Sequence, residues 1–167
     1  MNDNTIIMAI DPGLTGAVAF YAPINADHVG VYDMPVAGGA VNVHELRKLI
    51  ETYHPNTCVI ERVGPMPRDG VMQAWRFSGA YHAALATVML SHIATTLVTP
   101  AVWKKAMHVR GGPAGKEQCR KLAIQMFPYS AAMFARKKDA GRAEAALLAV
   151  YFSQVRDRNF AMFKKEE

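Results

Sequence analysis

Apolar positions come in short, sharply bounded runs. Thr5–Ile10 is apolar and rich in β-branched residues, and it stops at Asp11-Pro12-Gly13, where Pro fixes φ and Gly frees it. Gly16–Tyr21 is a second run, and His28–Tyr32 a third after the turn at Pro23–Asp27. Three strands in close succession predict an antiparallel meander. Val43–Tyr53 changes period, with Val43, Leu46, Leu49 and Ile50 on one helical face. Thr57–Glu61 is a compact buried strand, and a helix followed so soon by a strand implies a parallel crossover. A Gly/Pro-rich loop, Val63–Gly70, precedes a long helix over Val71–Ser91, and Thr95–Thr99 is a strand ended by Pro100. A short helix over Ala101–Met107, a basic Gly-rich loop, a helix over Glu117–Phe127 and a last helix over Gly141–Val155 complete the pattern. The order predicts an α/β domain with a mixed five-stranded sheet, its first three strands antiparallel, flanked by helices. Residues 1–157 read as one domain and 158–167 as a charged tail; no internal repeat or low-complexity tract is visible.

Two acidic residues interrupt this pattern where apolar strands normally exclude charge. Asp11 ends the first strand and Glu61 the fourth. Functional groups of parallel α/β sheets gather at strand ends, so neighbouring strands would aim both carboxylates into one crevice. Asp11 alone reads first as a turn former before Pro-Gly. Glu61 does not, because Glu is a poor turn residue and is costly to bury after Cys-Val-Ile without a compensating ion. Asp139 and Glu144 form a second pair around Gly141-Arg142, and Ala145-Ala146-Leu147-Leu148-Ala149-Val150 follows as a smooth face that can lie close to a sheet. Taken singly, Asp139 is a helix-start carboxylate and Glu144 an exposed helix residue. Oxygen ligands from separate segments, without His or Cys, suit a hard cation such as Mg²⁺ or Mn²⁺. Two such ions about 3.5–4 Å apart activate a water and stabilise a leaving oxygen in phosphodiester hydrolysis.

Composition narrows the class of partner. With 167 residues, 51% hydrophobic and 20% charged, the chain has the size and make-up of one globular domain. A net charge of +5 and a pI of about 9.3 favour a polyanionic partner. Cys58 and Cys119 lie outside any CxxC or Cys/His spacing, which excludes a zinc module; Cys58 reads as core. Without a leader-like N-terminus or a membrane-length apolar stretch, the expectation is a soluble cytoplasmic protein.

The motifs then form an ordered set. Ile10-Asp11-Pro12-Gly13-Leu14-Thr15-Gly16 resembles the opening strand of RuvC-type Holliday junction resolvases, and Val59-Ile60-Glu61 their second catalytic strand. Val98-Thr99-Pro100, Trp103-Lys104-Lys105 and Lys137-Lys138-Asp139-Ala140-Gly141-Arg142-Ala143-Glu144-Ala145 are similar to the phage-type branch of that group. The resemblance implies an RNase H-like fold and a Mg²⁺-dependent endonuclease (Mn²⁺ substituting, two ions per site) that cuts four-way DNA junctions as a homodimer in a bacterial cell or a phage-infected host. It implies Asp11, Glu61, Asp139 and Glu144 as metal ligands. The chain departs from the bacterial pattern in placing the last two acidic residues five apart rather than three, with Gly141 three before Glu144. Asp139 must then reach the site from the helix start or the preceding loop. After Glu61, where the bacterial proteins carry an aromatic, the loop offers Met66 and Arg68 as contacts for the junction centre.

Basic residues cluster beside these positions. Lys104, Lys105, Arg110, Lys116, Arg120 and Lys121 form one group, and Arg136, Lys137, Lys138 and Arg142 another. They are candidate phosphate contacts, with Lys116 placed to stabilise charge on the cleaved phosphate and Gly111–Gly115 suited to close backbone approach. Gly111–Lys116 is no Walker A, having three residues between its glycines and Glu117 after Lys116, so no nucleotide cofactor is implied. A nuclease of the same fold acting on forks, flaps or RNA–DNA hybrids is the alternative. An actin-like ATPase would need two lobes, and an inactive DNA-binding scaffold would have no reason to keep four carboxylates.

Overall fold

The computed structural model describes residues 5–64 and 70–163, with side chains to Arg156. Among the described residues, seven strands and five α-helices follow one another as β1 (Ile7–Asp11), β2 (Ala17–Tyr21), β3 (Gly30–Asp33), β4 (Val36–Ala37), β5 (Ala40–Val41), α1 (Val43–Tyr53), β6 (Thr57–Glu61), α2 (Val71–Leu90), β7 (Ala94–Val98), α3 (Pro100–Ala106), α4 (Gly112–Met126) and α5 (Ala140–Phe163). The main sheet has the order β3-β2-β1-β6-β7. β1 pairs antiparallel with β2 and β2 with β3, whereas β6 runs parallel to both β1 and β7. The mixed five-stranded sheet expected from the pattern is therefore the observed one.

Alternation along the central strands divides the core into two layers. Ile7 and Ala9 of β1, with Ala17, Ala19 and Tyr21 of β2, face α4 and α5. Met8, Ile10, Val18 and Phe20 face α1 and α2. A period of two sends neighbouring residues to opposite faces, so both faces of a central strand are buried only if helices cover both.

Helix α1 shows how local chemistry sets an element. Asn42 caps it by accepting from the Glu45 N–H at 3.2 Å, and His54 ends it in the left-handed region at φ 45°. Leu46 and Ile50 are buried, while Val43 is left at the exposed edge of the stripe. Other differences from the sequence reading are local. The β4–β5 hairpin was not predicted, since strands of two residues show no periodicity. Helix α4 begins at Gly112 rather than near Glu117, so the Gly-rich segment is its first turn, and Pro113 is tolerated there because first-turn N–H groups lack helical partners. Gly115 has a packing reason, since a Cβ there would lie 1.8 Å from the Arg110 carbonyl oxygen. Helix α5 continues past residue 157 to Phe163. Both cysteines are buried and unpaired. No described helix is long and apolar enough to cross a membrane.

Candidate active site

Asp11 and Glu61 meet because their strands are parallel neighbours. Ile10 and Ile60 are in register, which sets the two acidic residues side by side at the strand ends. Helix α5 closes the site from above. Ala143, Ala145, Ala146 and Ala149 are all fully buried, and their small side chains let the helix lie close on β1 and β2. At Gly141 the approach is tightest, with the position of a Cβ only 3.1 Å from Asp11 Oδ2 and 3.1 Å from the Thr15 carbonyl oxygen. Glu144, one turn further on, is thereby delivered into the same space and is 7% exposed. The result is a crevice of about 520 Å³ lined by Asp11, Thr15, Glu61, Gly141 and Glu144, with Lys116, Lys137 and Lys138 also on its wall.

The electrostatics of this crevice are unfavourable for a protein alone. Burial pushes the Asp11 carboxyl well above its ordinary value, and the charges of Glu144 and Glu61 push it further. Burial also raises Glu61, against the pull of a hydrogen bond from Trp103 and the charge of Lys104. Two consecutive residues of α3 hold the carboxylates. The Trp103 Nε1–H donates to Glu61 Oε1 at 2.7 Å, and Lys104 Nζ donates to Glu144 Oε1 at 2.6 Å. Burial works to lower the Lys104 ammonium, but the hydrogen bond and charge of Glu144, with the charge of Glu61, outweigh it and raise it. Among the described residues no three His, Cys, Asp or Glu side chains form a ready-made metal cage. Like charges spread apart, however, and an ammonium already neutralises Glu144, so a bound cation would have to draw Asp11 and Glu144 toward Glu61. The donor set itself fits a hard divalent ion: three carboxylates, all oxygen, converging from β1, β6 and α5.

Asp139 is placed differently. It lies in a short 3₁₀ turn, Lys137–Asp139, just before α5, and is 1% exposed. Its carboxylate accepts from the Arg136 backbone N–H at 2.8 Å and from Arg136 Nη2 at 2.8 Å, and Arg142 Nη1 stands 3.9 Å away. Those Arg136 hydrogen bonds hold the Asp139 carboxyl below its ordinary value. It does not line the crevice that holds the other three.

The basic candidates also separate. Lys105, Arg110, Lys116, Lys121, Lys137 and Lys138 are exposed. Arg142 is engaged instead, donating from Nε and Nη2 to the two Asp33 oxygens at 2.7 Å each. Arg120 pairs with Glu117 at 3.1 Å and donates to the Phe134 carbonyl. Lys104 is largely buried and bonded to Glu144 rather than free on the outer surface. Met66 and Arg68 lie outside the described residues. Sequence reasoning gave no role to Asp33 or to the Trp103 indole; each meets its partner only through the fold.

A larger groove, about 670 Å³, lies between α1 and the end of α2, on the far side of the sheet from α5. Its one lining carboxylate, Glu51, is already paired with Arg47 at 2.7 Å, so it lacks the chemistry of the smaller crevice.

No family model matches the chain, and no characterised protein matches it in sequence. Solved structures do match in shape. RuvC of Thermus thermophilus in complex with a Holliday junction substrate aligns with a TM-score of 0.63 at 15% identity, over 90% of this chain and 96% of that one. Thermus thermophilus RuvC on its own gives 0.60 at 15% identity over the same shares. The yeast mitochondrial Holliday junction resolvase Ydc2 gives 0.56 at 14% identity, over 98% of this chain and 86% of that one. The chain thus has the RNase H-like fold in the form that RuvC-like resolvases share.

Proposed function

We propose that this protein is a metal-dependent endonuclease that resolves four-way DNA junctions. The observation that carries the reading is the crevice at the ends of β1 and β6, where Asp11, Glu61 and Glu144 crowd together beside Lys116, Lys137 and Lys138. Three carboxylates with one ammonium, that of Lys104, bonded among them suit a site that binds divalent cations. The flanking lysines suit a phosphate chain that crosses it. A pair of bound Mg²⁺ ions, with Mn²⁺ as a substitute, would activate a water and stabilise the leaving oxygen of the cleaved strand. Asp11, Glu61 and Glu144 would hold them. Asp139 would join only by giving up Arg136, which makes it the weakest member of the set. Lys116, just past the first turn of α4, sits where it can neutralise charge on the cleaved phosphate. Lys137 and Lys138 position the strand, joined further out by Lys105, Arg110 and Lys121.

A homodimer completes the reading, since two opposed strands of a junction need two sites. Support comes from α2, whose outer face exposes Met72, Trp75 and Met89 at helical spacing, with Val71 and Leu90 beside them. A second copy is the occupant proposed for that face. Trp75→Lys is expected to shift the protein to monomer in light scattering.

The deciding experiment compares cleavage of an immobile four-way junction with linear duplex, fork and RNA–DNA hybrid, with Mg²⁺ and with EDTA, in wild type, Asp11→Asn and Glu61→Gln. Paired symmetric nicks in the junction, lost with EDTA and in both variants, are the expected result. Equal or better cutting of forks or hybrids would move the substrate while keeping the chemistry. Cleavage indifferent to EDTA would sink the metal-nuclease reading.

A further inference from the structure

One buried polar contact lies beneath the crevice and outside the proposed ligand set. Trp103 is 0% exposed, and its indole N–H reaches Glu61 Oε1 at 2.7 Å across 42 positions of sequence. An indole offers one donor and no acceptor, and it is retained in a core where that donor finds a partner. The rest of the ring is packed in the layer that includes Cys119, Ala123 and Phe127, with Val59 from the sheet. A residue packed on that scale cannot follow a moving carboxylate; the carboxylate must follow it. Glu61, by contrast, has a flexible side chain whose freedom a fixed donor removes. The next residue, Lys104, holds Glu144, and its Nζ lies 5.2 Å over the Trp103 ring. One short helix therefore orients two of the three carboxylates.

We propose that Trp103 is a positioning residue whose indole N–H fixes the Glu61 carboxylate in the crevice and thereby sets the affinity of the cation site. The inference rests on the crevice being a cation site, as proposed above. Trp103 acts through Glu61 and is not itself a ligand. Outer contacts of this kind are worth roughly 10–100-fold in metal affinity.

The test measures Mn²⁺ binding by titration calorimetry on the full chain, with thermal unfolding in cation-free buffer alongside. Trp103→Phe keeps a ring but loses the donor, and Phe127→Leu removes packing from the same layer without touching the crevice. Trp103→Phe is expected to lose roughly tenfold or more in Mn²⁺ affinity, while Phe127→Leu binds as wild type does. A second measurement needs no Trp103 variant. The chain has two tryptophans, so a ¹⁵N-indole spectrum has two side-chain signals. Mg²⁺ should move the Trp103 signal, leave that of the exposed Trp75 in place, and move neither in Glu61→Gln. Wild-type affinity in Trp103→Phe, an equal loss in Phe127→Leu, or a Trp103 signal that Mg²⁺ does not move would each overturn the inference. If wild type itself binds no Mn²⁺, the reading of the crevice falls and takes this inference with it. If wild type binds and Trp103→Phe binds equally, only the role of Trp103 falls.

Discussion

Two groups of carboxylates lie near the first turn of α5, and the fold treats them in opposite ways. Asp139 is fully served: Arg136 supplies both its backbone and its guanidinium, and the carboxyl is held below its ordinary value. Asp11, Glu61 and Glu144 share one crevice in which Lys104 offsets Glu144 alone, and burial and mutual repulsion hold Asp11 and Glu61 above theirs. A satisfied carboxylate stabilises its own element, as a cap does. A crowded cluster costs stability until something positive arrives. Sequence proximity would pair Asp139 with Glu144, whereas electrostatics pairs Glu144 with Asp11 and Glu61. The contrast teaches that acidic residues near a presumed site should be sorted by what already neutralises them.

The largest expected effect would sharpen that contrast directly. Glu61→Gln and Asp11→Asn should each lower junction cleavage by at least about 10²-fold, the scale of losing one stabiliser of transition-state charge. Both should keep or gain thermal stability in cation-free buffer, because each removes a repelled charge. A clear loss of stability in both would break the comparison, since it would make the crevice a satisfied network.

Dependence on pH should separate the two groups next. Asp11 has a folded value raised above 3.8, so its contribution to stability is fully present below 3.8 and is lost as pH rises through the raised value. Cation-free wild type should therefore lose stability relative to Asp11→Asn as pH rises above 3.8. Asp139 has a folded value depressed below 3.8, so its contribution is present above 3.8 and is lost as pH falls through the depressed value. The advantage of wild type over Asp139→Asn should fade only on that acid side. Melting curves across pH would show either opposite slopes or none.

Asp139→Ala probes the satisfied side more simply. Loss of the capping carboxylate should cost about 1 kcal/mol in chemical denaturation, with Mn²⁺ affinity unchanged. A parallel fall in affinity would return Asp139 to the ligand set. The smallest effects belong to the exposed wall of the crevice. Lys137→Ala and Lys138→Ala should weaken junction binding across sequences, each reducing the slope of log affinity against log salt by about 1. An unchanged slope would show that the DNA takes another path.

Much of this was legible in the residues, and for physical reasons. The unbroken apolar runs of β1, β2 and β6 dictated a sheet covered on both faces, and an Asp and a Glu at the ends of such strands are hard to explain as structure alone. Asp139 shows the limit. Its neighbour Arg136 is three positions back, a spacing that fits a cap as well as a site, and only the fold decides which way the carboxylate faces. Arg142 and Arg120 show it again. As sequence they join basic clusters, yet in space they are held by Asp33 and by Glu117 with the Phe134 carbonyl.

The sequence by itself determined the order of the main-sheet strands and of the helices, the two-faced core, and Asp11 and Glu61 as charges that apolar strands normally exclude. These follow from periodicity and from the cost of burying charge, both of which are local or cumulative along the chain. Tertiary structure alone decided the rest: that Gly141 lets α5 descend onto Asp11, that Lys104 reaches Glu144, and that Trp103 holds Glu61 from 42 residues away. Such contacts depend on distances between segments set by packing and strand register, and no local pattern encodes them.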